Sequence, residues 1–377
     1  MAGSIARRLT VCILPVACLV LAATAGPATA APPSRVVPGI DIVPPGGEAT
    51  LAWRVNNRDQ VLLFLSGTIW QGGRYTDIGG LGGAFTGAFD LNDAGDVVGD
   101  SDRPDGATHA FRWRHGRMVD LGTLGGPTSN ARSVGANGDV AGRSTLPDGT
   151  EHVFHWRAGV LTDTGIPSGF TGGMVVNARG QIAAHHVSDE TFSSRAYFWD
   201  RGVVTDLGTL GGDRVTVTDL NDRGEVVGFA TTATGDTHAF RWRNGRMTDL
   251  GTLGGAESRA SDINNRGQIT GTAASATSSE RAFRWENGVM TDLDAAAGTQ
   301  AQTWGSAINE RGDVVGSRTG TSATRGVVWR RGATLELDAL GRETSQGNDL
   351  NDRGLAVGLT AVDPFQPTRA TVWYTRR

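Results

Sequence analysis

The stretch "HAFRWRNGRMTDLGTLGG", residues 238–255, decides the fold of this chain because it is written almost twice. The same run stands at residues 109–126, where His115 replaces Asn244 and Val119 replaces Thr248. An aromatic segment and an alternating segment flank a Gly turn, which is the pattern of a β-hairpin. Two near-identical hairpins so far apart indicate a repeated building block rather than one site used twice.

The spacing of the tryptophans gives the length of the repeat. Only Trp53 and Trp304 fall outside a series with spacings of 43 or 44 residues: Trp70, Trp113, Trp156, Trp199, Trp242, Trp285, Trp329 and Trp373. An Asn-x-x-Gly turn in a hydrophobic frame keeps step with this series, as in "DLNDAGDVVG" from Asp90 and "DINNRGQITG" from Asp262. Counting the weaker copies, eight turns accompany eight tryptophans.

Each unit contains two hairpins, one around the Asn-x-x-Gly turn and one around the second Gly turn. Four strands in about 43 residues match one blade of a β-propeller. The sequence therefore predicts an all-β fold, an eight-bladed β-propeller of four-stranded blades, with seven blades and a degenerate first unit as the alternative. Residues 31–377 form one domain whose units are about 41–83, 84–126, 127–169, 170–212, 213–255, 256–298, 299–342 and 343–377.

The two ends of the chain predict how the ring closes. The last unit stops at "ATVWYTRR", after its third strand, and the segment "RVVPGIDIVPPGG", residues 35–47, supplies a spare strand. A ring in which this N-terminal strand completes the last blade leaves no raw sheet edge. The "TDLGTLGG" strand is then outermost and the strand before Asn-x-x-Gly innermost, where small residues align: Ala88, Ala131, Gly173, Val217, Ala260, Gly305 and Gly347.

These motifs carry a family resemblance. "HAF" at 109 and 238, "INxxGxVVG" and "DLGTLGG" resemble the HAF-repeat family of secreted bacterial proteins over residues 41–377. The resemblance implies an extracellular, propeller-like repeat protein, with no established reaction and no catalytic residues to transfer. The third, sixth and seventh units depart from the outer-strand motif with "DTGIPSG", "DLDAAAG" and "LDALGR".

The N-terminus predicts export. Arg7 and Arg8 precede an apolar run over residues 11–25 and a small-residue cleavage signal ending at Ala30. This is the pattern of a secretory signal peptide cut after Ala30, and the apolar run is too short to span a bilayer. The arginine pair also permits twin-arginine export. A lipid anchor at Cys18 is the lesser alternative, because Pro15 stands where a lipoprotein site has an aliphatic residue.

Composition excludes several classes of function. Both cysteines, Cys12 and Cys18, lie in the signal, so the mature chain has neither disulfides nor thiolate metal sites. The net charge is −4 and becomes more negative when Arg7 and Arg8 are removed, which argues against a nucleic-acid partner. We expect a monomer without a cofactor and without a membrane span.

The motifs that could carry chemistry have simpler interpretations. The run from Asp90 is similar to a calcium loop, but its fifth position is Ala94 or, in other copies, arginine, so we predict an Asn-capped turn. The HAF histidines could converge on a metal, yet matching positions carry arginine, so we predict a polar surface position: His109, His152 and His238 against Arg195, Arg281, Arg325 and Arg369. No HExxH, GxSxG or phosphate-loop motif is present, and no catalytic residue is predicted.

Variation between the copies points to a binding surface. The loops between second and third strands vary most and share a face with the linkers between blades, and ligand contacts concentrate on such loops. One position of the innermost strand also changes freely. The candidate ligand-binding residues are Trp304, Arg259, Gln346, Asn130 and Thr216 at that position, with Asp100 and Asp102 at the start of one variable loop. Trp304 follows an unusually long linker and is the best single candidate.

The sequence predicts a secreted, non-catalytic binding or scaffold protein that presents its loop face and central channel to an extracellular glycan or protein. One alternative is an extracellular hydrolase or lyase acting on carbohydrate or peptide, and another is a passive structural protein of the envelope or matrix. Three or more carboxylates or histidines converging at the axis would favour the enzyme. A channel lined by Ser, Thr, Gly and Trp would favour binding.

Overall fold

The computed structural model describes residues 35–44, 51–64, 66–168, 173–188, 191, 193–295, 301–320, 323–362 and 368–376. Within these ranges all regular structure is β, and the strands form eight sheets. No helix capable of crossing a membrane occurs in the described part of the chain. The predicted signal peptide and its cleavage site lie outside it.

The first four blades follow one another along the chain. Blade 1 contains β3 (Ala52–Val55), β4 (Val61–Leu63), β5 (Thr68–Gln71) and β6 (Arg74–Asp77). Blade 2 contains β7 (Thr86–Leu91), β8 (Val97–Asp102), β9 (Thr108–Arg114) and β10 (Arg117–Asp120). Blade 3 contains β11 (Ser129–Val134), β12 (Val140–Thr145), β13 (Glu151–Arg157) and β14 (Val160–Pro167). Blade 4 contains β15 (Met174–Val176), β16 (Ile182–Val187), β17 (Ser194–Asp200) and β18 (Val203–Asp206).

The remaining blades complete the ring. Blade 5 contains β19 (Gly211–Leu220), β20 (Val226–Thr232), β21 (Thr237–Arg243) and β22 (Arg246–Asp249). Blade 6 contains β23 (Gly254–Ile263), β24 (Ile269–Ser275), β25 (Arg281–Glu286) and β26 (Val289–Asp292). Blade 7 contains β27 (Thr303–Ile308), β28 (Val314–Thr319), β29 (Thr324–Arg330) and β30 (Ala333–Leu337). Blade 8 contains β31 (Thr344–Leu350), β32 (Leu355–Ala361) and β33 (Arg369–Tyr374).

The N-terminal segment closes the ring, as predicted, but as two strands instead of one. β2 (Gly39–Ile42) pairs antiparallel with β33 and is the fourth strand of blade 8. β1 (Arg35–Val37) pairs parallel with β30 and adds a fifth strand to blade 7. Pro38 separates them, and a proline has no N–H to continue a ladder. The eight-bladed prediction is confirmed, and the blades with departing motifs also have fourth strands, β14, β26 and β30.

The linkers join each outer strand to the next inner strand on the face that carries the second-to-third-strand loops. The Gly83 N–H donates to the carbonyl of Asp102 at 2.8 Å, which ties the linker to the end of β8. Gly82 has a φ of 101°, a left-handed conformation that favours glycine, and a Cβ on Gly83 would lie 2.5 Å from Asp102 Cβ. The Gly-Gly pair is therefore required by backbone geometry at this corner.

The hydrophobic core is divided among the gaps between blades. Each buried cluster joins residues of two neighbouring blades; for example, Leu121 of blade 2 packs with Phe154 and Trp156 of blade 3. Phe111, Phe240 and Phe283 are fully buried in such clusters, as predicted. The small inner-strand residues Gly305 and Gly347 are crowded by the preceding blade, and Gly173 by the following one. A Cβ on Gly347 would lie 2.4 Å from Val315 Cγ2.

The HAF motif pairs the third strand with the outer strand. Nδ1 of His238 lies 2.8 Å from the carboxylate of Asp249, whose other oxygen accepts the Gly251 N–H. The same pairing recurs as His109–Asp120, His152–Asp163, Arg195–Asp206 and Arg281–Asp292. Histidine and arginine interchange here because both supply a donor to one aspartate, and the motif is structural.

The Asn-x-x-Gly turns link the blades in a ring at one end of the axis. In blade 6, Asn264 Oδ1 accepts the Arg266 and Gln268 N–H groups, which shapes the turn as an Asn cap. Its Nδ2 donates to the Asn309 carbonyl of the next blade at 2.9 Å. Seven asparagines bond to the following blade in this way: Asn56, Asn92, Asn177, Asn221, Asn264, Asn309 and Asn351. We call them the asparagine ring. Its eighth position is Gly135.

Candidate functional site

A repeated β-bulge shapes the channel at the axis of the propeller. In seven blades the pairing of the innermost strand with the second strand shifts by one residue, three positions before the turn asparagine or its equivalent. A bulge leaves one residue unpaired and re-aims its side chain. We call these residues the bulge ring: Trp53, Phe89, Arg132, Thr218, Ser261, Ser306 and Asn348.

The bulge ring lines the channel and touches neighbouring blades. Trp53 Nε1 donates to the carbonyl of Phe89 at 3.1 Å, and Asn348 Nδ2 donates to the carbonyl of Ala52 at 3.2 Å. The guanidinium of Arg132 lies over the Phe89 ring at 4.1 Å. Apart from these links, the ring members range from aromatic rings through an arginine and an asparagine to small hydroxyl residues. The scaffold is repeated, but the surface that it presents to the axis is not.

A layer of carboxylates lies between the bulge ring and the asparagine ring. It contains Asp90, Asp219, Asp262 and Asp349, with Arg54 at the matching position of blade 1. Each aspartate accepts a backbone N–H of the next blade; Asp262 Oδ2, for instance, accepts the Ile308 N–H at 2.7 Å. The sequence did not single out this layer.

The charges in the carboxylate layer are strongly coupled. Burial and the adjacent Asp219 raise the pKa of Asp262 well above its ordinary value. Burial likewise raises the pKa of Asp349, although Arg54 partly offsets that effect. Desolvation inside the ring opposes the charge of Arg54, whose side chain is still 44% exposed, but the four surrounding carboxylates together raise its pKa. Arg54 therefore acts as the counterion of the whole layer, with its Nε 3.8 Å from Asp90.

Five of the predicted ligand-binding residues occupy equivalent places on the inner strands. Their ladder partners in the second strand match from blade to blade, which places them around the channel toward the loop face: Asn130, Thr216, Arg259, Trp304 and Gln346. Gly172, the equivalent residue of blade 4, lies outside the described residues. The structure thus arranges these five positions as a ring, while each contacts its own neighbours.

The individual environments of these residues differ. Arg259 stacks over Phe229 at 5.4 Å and pairs with Glu257 at 3.1 Å. Trp304 is partly buried, and its Nε1 has no hydrogen-bond partner among the described residues. Asn130 is buried against Asp100 of the preceding blade.

Asp102 stands apart from this ring. It is buried at the base of its loop, where its carboxylate accepts the Thr108 hydroxyl at 2.7 Å. Its backbone carbonyl accepts the Gly83 N–H of the linker. Both bonds stabilise the loop base, so the structure separates Asp102 from Asp100, which faces the channel wall.

Sequence reasoning missed Trp53, Phe89, Arg132 and Arg143. The first three belong to the bulge ring, and Arg143 is the ladder partner of Asn130. The repeat alignment contained a sign of variability for the first three, because the residue three positions before the turn asparagine changes from aromatic to arginine to hydroxyl between units. Without the bulge that position is expected to face the neighbouring blade.

The adjacent histidines of blade 4, His185 and His186, lie next to each other on β16. His185 is buried, and burial lowers its pKa to about 4. Its Nδ1 accepts the Val217 N–H of blade 5 at 3.2 Å, which requires a neutral ring. Within the described ranges no three His, Asp or Glu side chains form a group that could hold a metal ion.

A second concavity lies away from the axis. A cavity of about 560 Å³ opens in the groove between blades 4 and 5 and is lined by Phe198, Trp242 and Thr205 among others. Its two charged lining residues, Asp200 and Arg201, pair with each other at 3.0 Å. The axis carries the more varied and less satisfied polar groups, so the channel is the stronger candidate site.

Comparison with protein families shows no relationship by sequence. No family model matches the chain, and no curated protein matches it. The similarity to the HAF-repeat family therefore rests on the quoted motifs alone.

Comparison with solved structures shows the fold. The chain is similar to the β-propeller domain of the Trilobed protease from Pyrococcus furiosus, with a TM-score of 0.50 and 8% identity over 77% of this chain and 94% of that one. Porphyromonas gingivalis dipeptidyl peptidase 4 gives a TM-score of 0.53 at 8% identity, covering 84% and 55%. A prolyl endopeptidase gives 0.50 at 12% identity, covering 78% and 50%. This chain thus spans about half the length of those two peptidases. Fold and topology define it as an eight-bladed β-propeller.

Proposed function

We propose that this protein is a secreted, non-catalytic binding protein that takes up an extracellular ligand at the loop end of its axial channel. The observation that carries the proposal is the bulge ring. The turns, the interblade core and the HAF pairs repeat the same contacts in successive blades, whereas the bulge ring and its neighbours present different side chains. Binding residues are those that a rigid scaffold leaves free to vary.

The chemistry of the channel supports binding. Trp53 and Phe89 supply aromatic surface, and Thr218, Ser261 and Asn348 supply short polar groups. Trp304 adds an indole N–H that no described residue accepts. Aromatic surface with a few convergent polar groups is the usual composition of a ligand site. An extracellular glycan or a protein segment is the class of ligand that we propose.

The test is retention of purified protein on immobilised extracellular and cell-wall glycans and proteins. Ser306→Trp should block the channel and abolish retention, while Trp304→Ala should weaken it. Val289→Trp is the matched control, because Val289 is 62% exposed on an outer hairpin away from the axis. Retention unaffected by Ser306→Trp would contradict a channel site, and no retention of wild type on any surface would favour a passive structural protein.

A hydrolase or lyase is the second candidate. The carboxylate layer favours it, because four carboxylates converge at the axis and three or more converging carboxylates are the feature expected of an enzyme. Asp262 beside Asp219 has the raised pKa that a general acid needs. We rank it second because both aspartates accept backbone N–H groups of the next blade, which a structural role explains. Cleavage of a retained polymer that stops in Asp262→Asn, with binding intact, would reverse this ranking.

A further inference from the structure

The channel wall between blades 2 and 3 gathers groups from both blades. Asn130 and Arg143 are ladder partners on β11 and β12, so their side chains share one face of blade 3. Asp100 of β8 lies against Asn130 from the other side. Arg132, the bulge residue of blade 3, lies over Phe89 of blade 2. We call Phe89, Asp100, Asn130, Arg132 and Arg143 the blade 2/3 cluster.

The blade 2/3 cluster contains two arginines, Arg132 and Arg143, against one carboxylate, Asp100. No described carboxylate forms an ion pair with Arg132, although the charge of Asp100 acts on it. Arg143 has a distant partner, Glu151, at 3.7 Å, and both side chains are about one third exposed at 29% and 32%. Burial and the neighbouring Arg143 lower the pKa of Arg132 to about 10, although Asp100 opposes this shift. The two guanidinium groups therefore share the charge of Asp100, and Arg132 has no ion pair of its own among the described residues.

The same cluster has two buried oxygen atoms without donors, although the Asn130 side chain also bonds to the Asp100 carboxylate. Asn130 Oδ1 and Asp100 Oδ1 are buried and have no hydrogen-bond partner among the described residues, and Asn130 as a whole is only 9% exposed. A buried polar atom in this state costs free energy unless something supplies its partner. The cluster thus offers the guanidinium of Arg132 to an anion and the two buried oxygens to hydroxyl or N–H donors.

We infer that the blade 2/3 cluster is the binding site for an acidic sugar, with Arg132 and Arg143 holding its carboxylate and Asn130 and Asp100 accepting its hydroxyl hydrogens. The inference rests on the proposed binding function and names its ligand class. A uronate carries a carboxylate and adjacent hydroxyls on one ring, which matches both deficits of the cluster within a single residue. Guanidinium groups recognise carboxylates through paired, charge-assisted hydrogen bonds.

The test is isothermal titration calorimetry with trigalacturonic acid and a hyaluronan tetrasaccharide, each compared with its methyl ester. The wild-type protein should bind at least one acid, and its ester about tenfold or more weakly, because one charged pair is lost. Arg132→Gln and Arg143→Gln should each weaken binding of the acid by about tenfold or more, and Arg132→Lys by less. Arg117→Gln, on an exposed outer hairpin, is the matched control, and thermal melting confirms that each variant is folded.

Three outcomes overturn the inference. They are equal affinity for acid and ester, unchanged affinity in folded Arg132→Gln and Arg143→Gln, and no binding of either acid by the wild type. None of these contradicts the proposed function by itself. That function is tested separately by retention of wild type and Ser306→Trp on glycans and proteins. If a ligand without an acidic group is retained by wild type and lost in Ser306→Trp, the channel remains the binding site but the acidic sugar is ruled out as its ligand.

Discussion

The asparagine ring predicts that one side-chain amide holds two blades together. Asn264 is 4% exposed and makes four hydrogen bonds. Its Oδ1 accepts the N–H groups of Arg266 and Gln268, both at 3.0 Å, and its Nδ2 donates to Gln268 Oε1 at 2.7 Å and to the Asn309 carbonyl at 2.9 Å. Replacing Asn264 by alanine removes all four.

The expected cost follows from the groups left behind. Each hydrogen bond contributes about 1 kcal/mol net, and a buried group left without a partner costs about 1–3 kcal/mol. The Gln268 N–H and the Asn309 carbonyl lose their side-chain partner inside the buried part of the ring, so their loss should cost most. We therefore expect Asn264→Ala to lower the free energy of unfolding by about 3–5 kcal/mol.

Equilibrium urea unfolding followed by tryptophan fluorescence measures this change, because the repeat tryptophans are buried between blades. Asn265→Ala is the control. Asn265 is exposed, and its side chain bonds only to Asp222 at the rim, so its replacement should cost less than about 1 kcal/mol. Asn264→Asp keeps the two acceptor bonds but turns an oxygen toward the Asn309 carbonyl, so it should be at least as damaging as alanine. A loss in Asn264→Ala no larger than in Asn265→Ala would refute the structural role of the ring.

Three further predictions concern closure, a buried ion pair and acid stability. A chain that begins at residue 45 lacks β1 and β2, exposes the edge of β33 and the buried Trp373, and loses Ile42 from the core. Compared with a chain that begins at residue 35, its free energy of unfolding should be lower by roughly 3–6 kcal/mol, or it should fail to fold. Thermal melting of the two chains measures this difference. Glu225 is 0% exposed and accepts a hydrogen bond from Arg241 at 2.6 Å, so Glu225→Gln should lower the free energy of unfolding by about 3 kcal/mol at neutral pH. Burial raises the pKa of Glu225, but its hydrogen bonds and the nearby arginines outweigh burial and lower it. The difference from wild type should therefore shrink as the pH falls below the ordinary glutamate range. The pKa of His185 is about 4 in the folded chain, so the unfolded chain takes up a proton first as the pH falls. The free energy of unfolding should therefore fall by roughly 3 kcal/mol between about pH 6.5 and pH 4. His185→Gln should flatten that part of the pH profile, and an unchanged slope would show that the imidazole is not held neutral.

The scaffold could be predicted from the sequence because it is written in repeated local signals. The tryptophan spacing sets the size of the blade, and the two Gly turns set its four strands. The incomplete last unit and the spare segment at residues 35–47 predict the closure, since an unpaired edge is costly. Eight copies average out local irregularity, so even the blades with altered outer strands were counted correctly.

The channel surface could not be predicted in the same way. A β-bulge depends on how two strands pair, and a single residue of shift changes the face on which a side chain lies. Trp53 and Arg132 are therefore invisible as channel residues in an alternating pattern. The carboxylate layer was missed for a different reason: Asp90 and its equivalents belong to the repeated turn motif, and their convergence at the axis appears only when the ring is closed.

Gly135 gives a case in which the repeat and the structure make opposite predictions. By alignment with the other blades, Gly135→Asn would complete the asparagine ring and should stabilise the protein, as consensus substitutions often do. A Cβ at Gly135, however, would lie 2.6 Å from the backbone carbonyl oxygen of Asn177, because blades 3 and 4 approach closely there. We expect Gly135→Asn to lower the free energy of unfolding by about 1–3 kcal/mol, the usual cost of overpacking. Ala158→Asn is the control, since this exposed turn residue of blade 3 has a φ of 50° and the equivalent residues of blades 5 and 6 are Asn244 and Asn287. A higher melting temperature for Gly135→Asn than for wild type would mean that blades 3 and 4 can separate to admit the side chain, and that the gap in the ring is an accident of sequence rather than a requirement of packing.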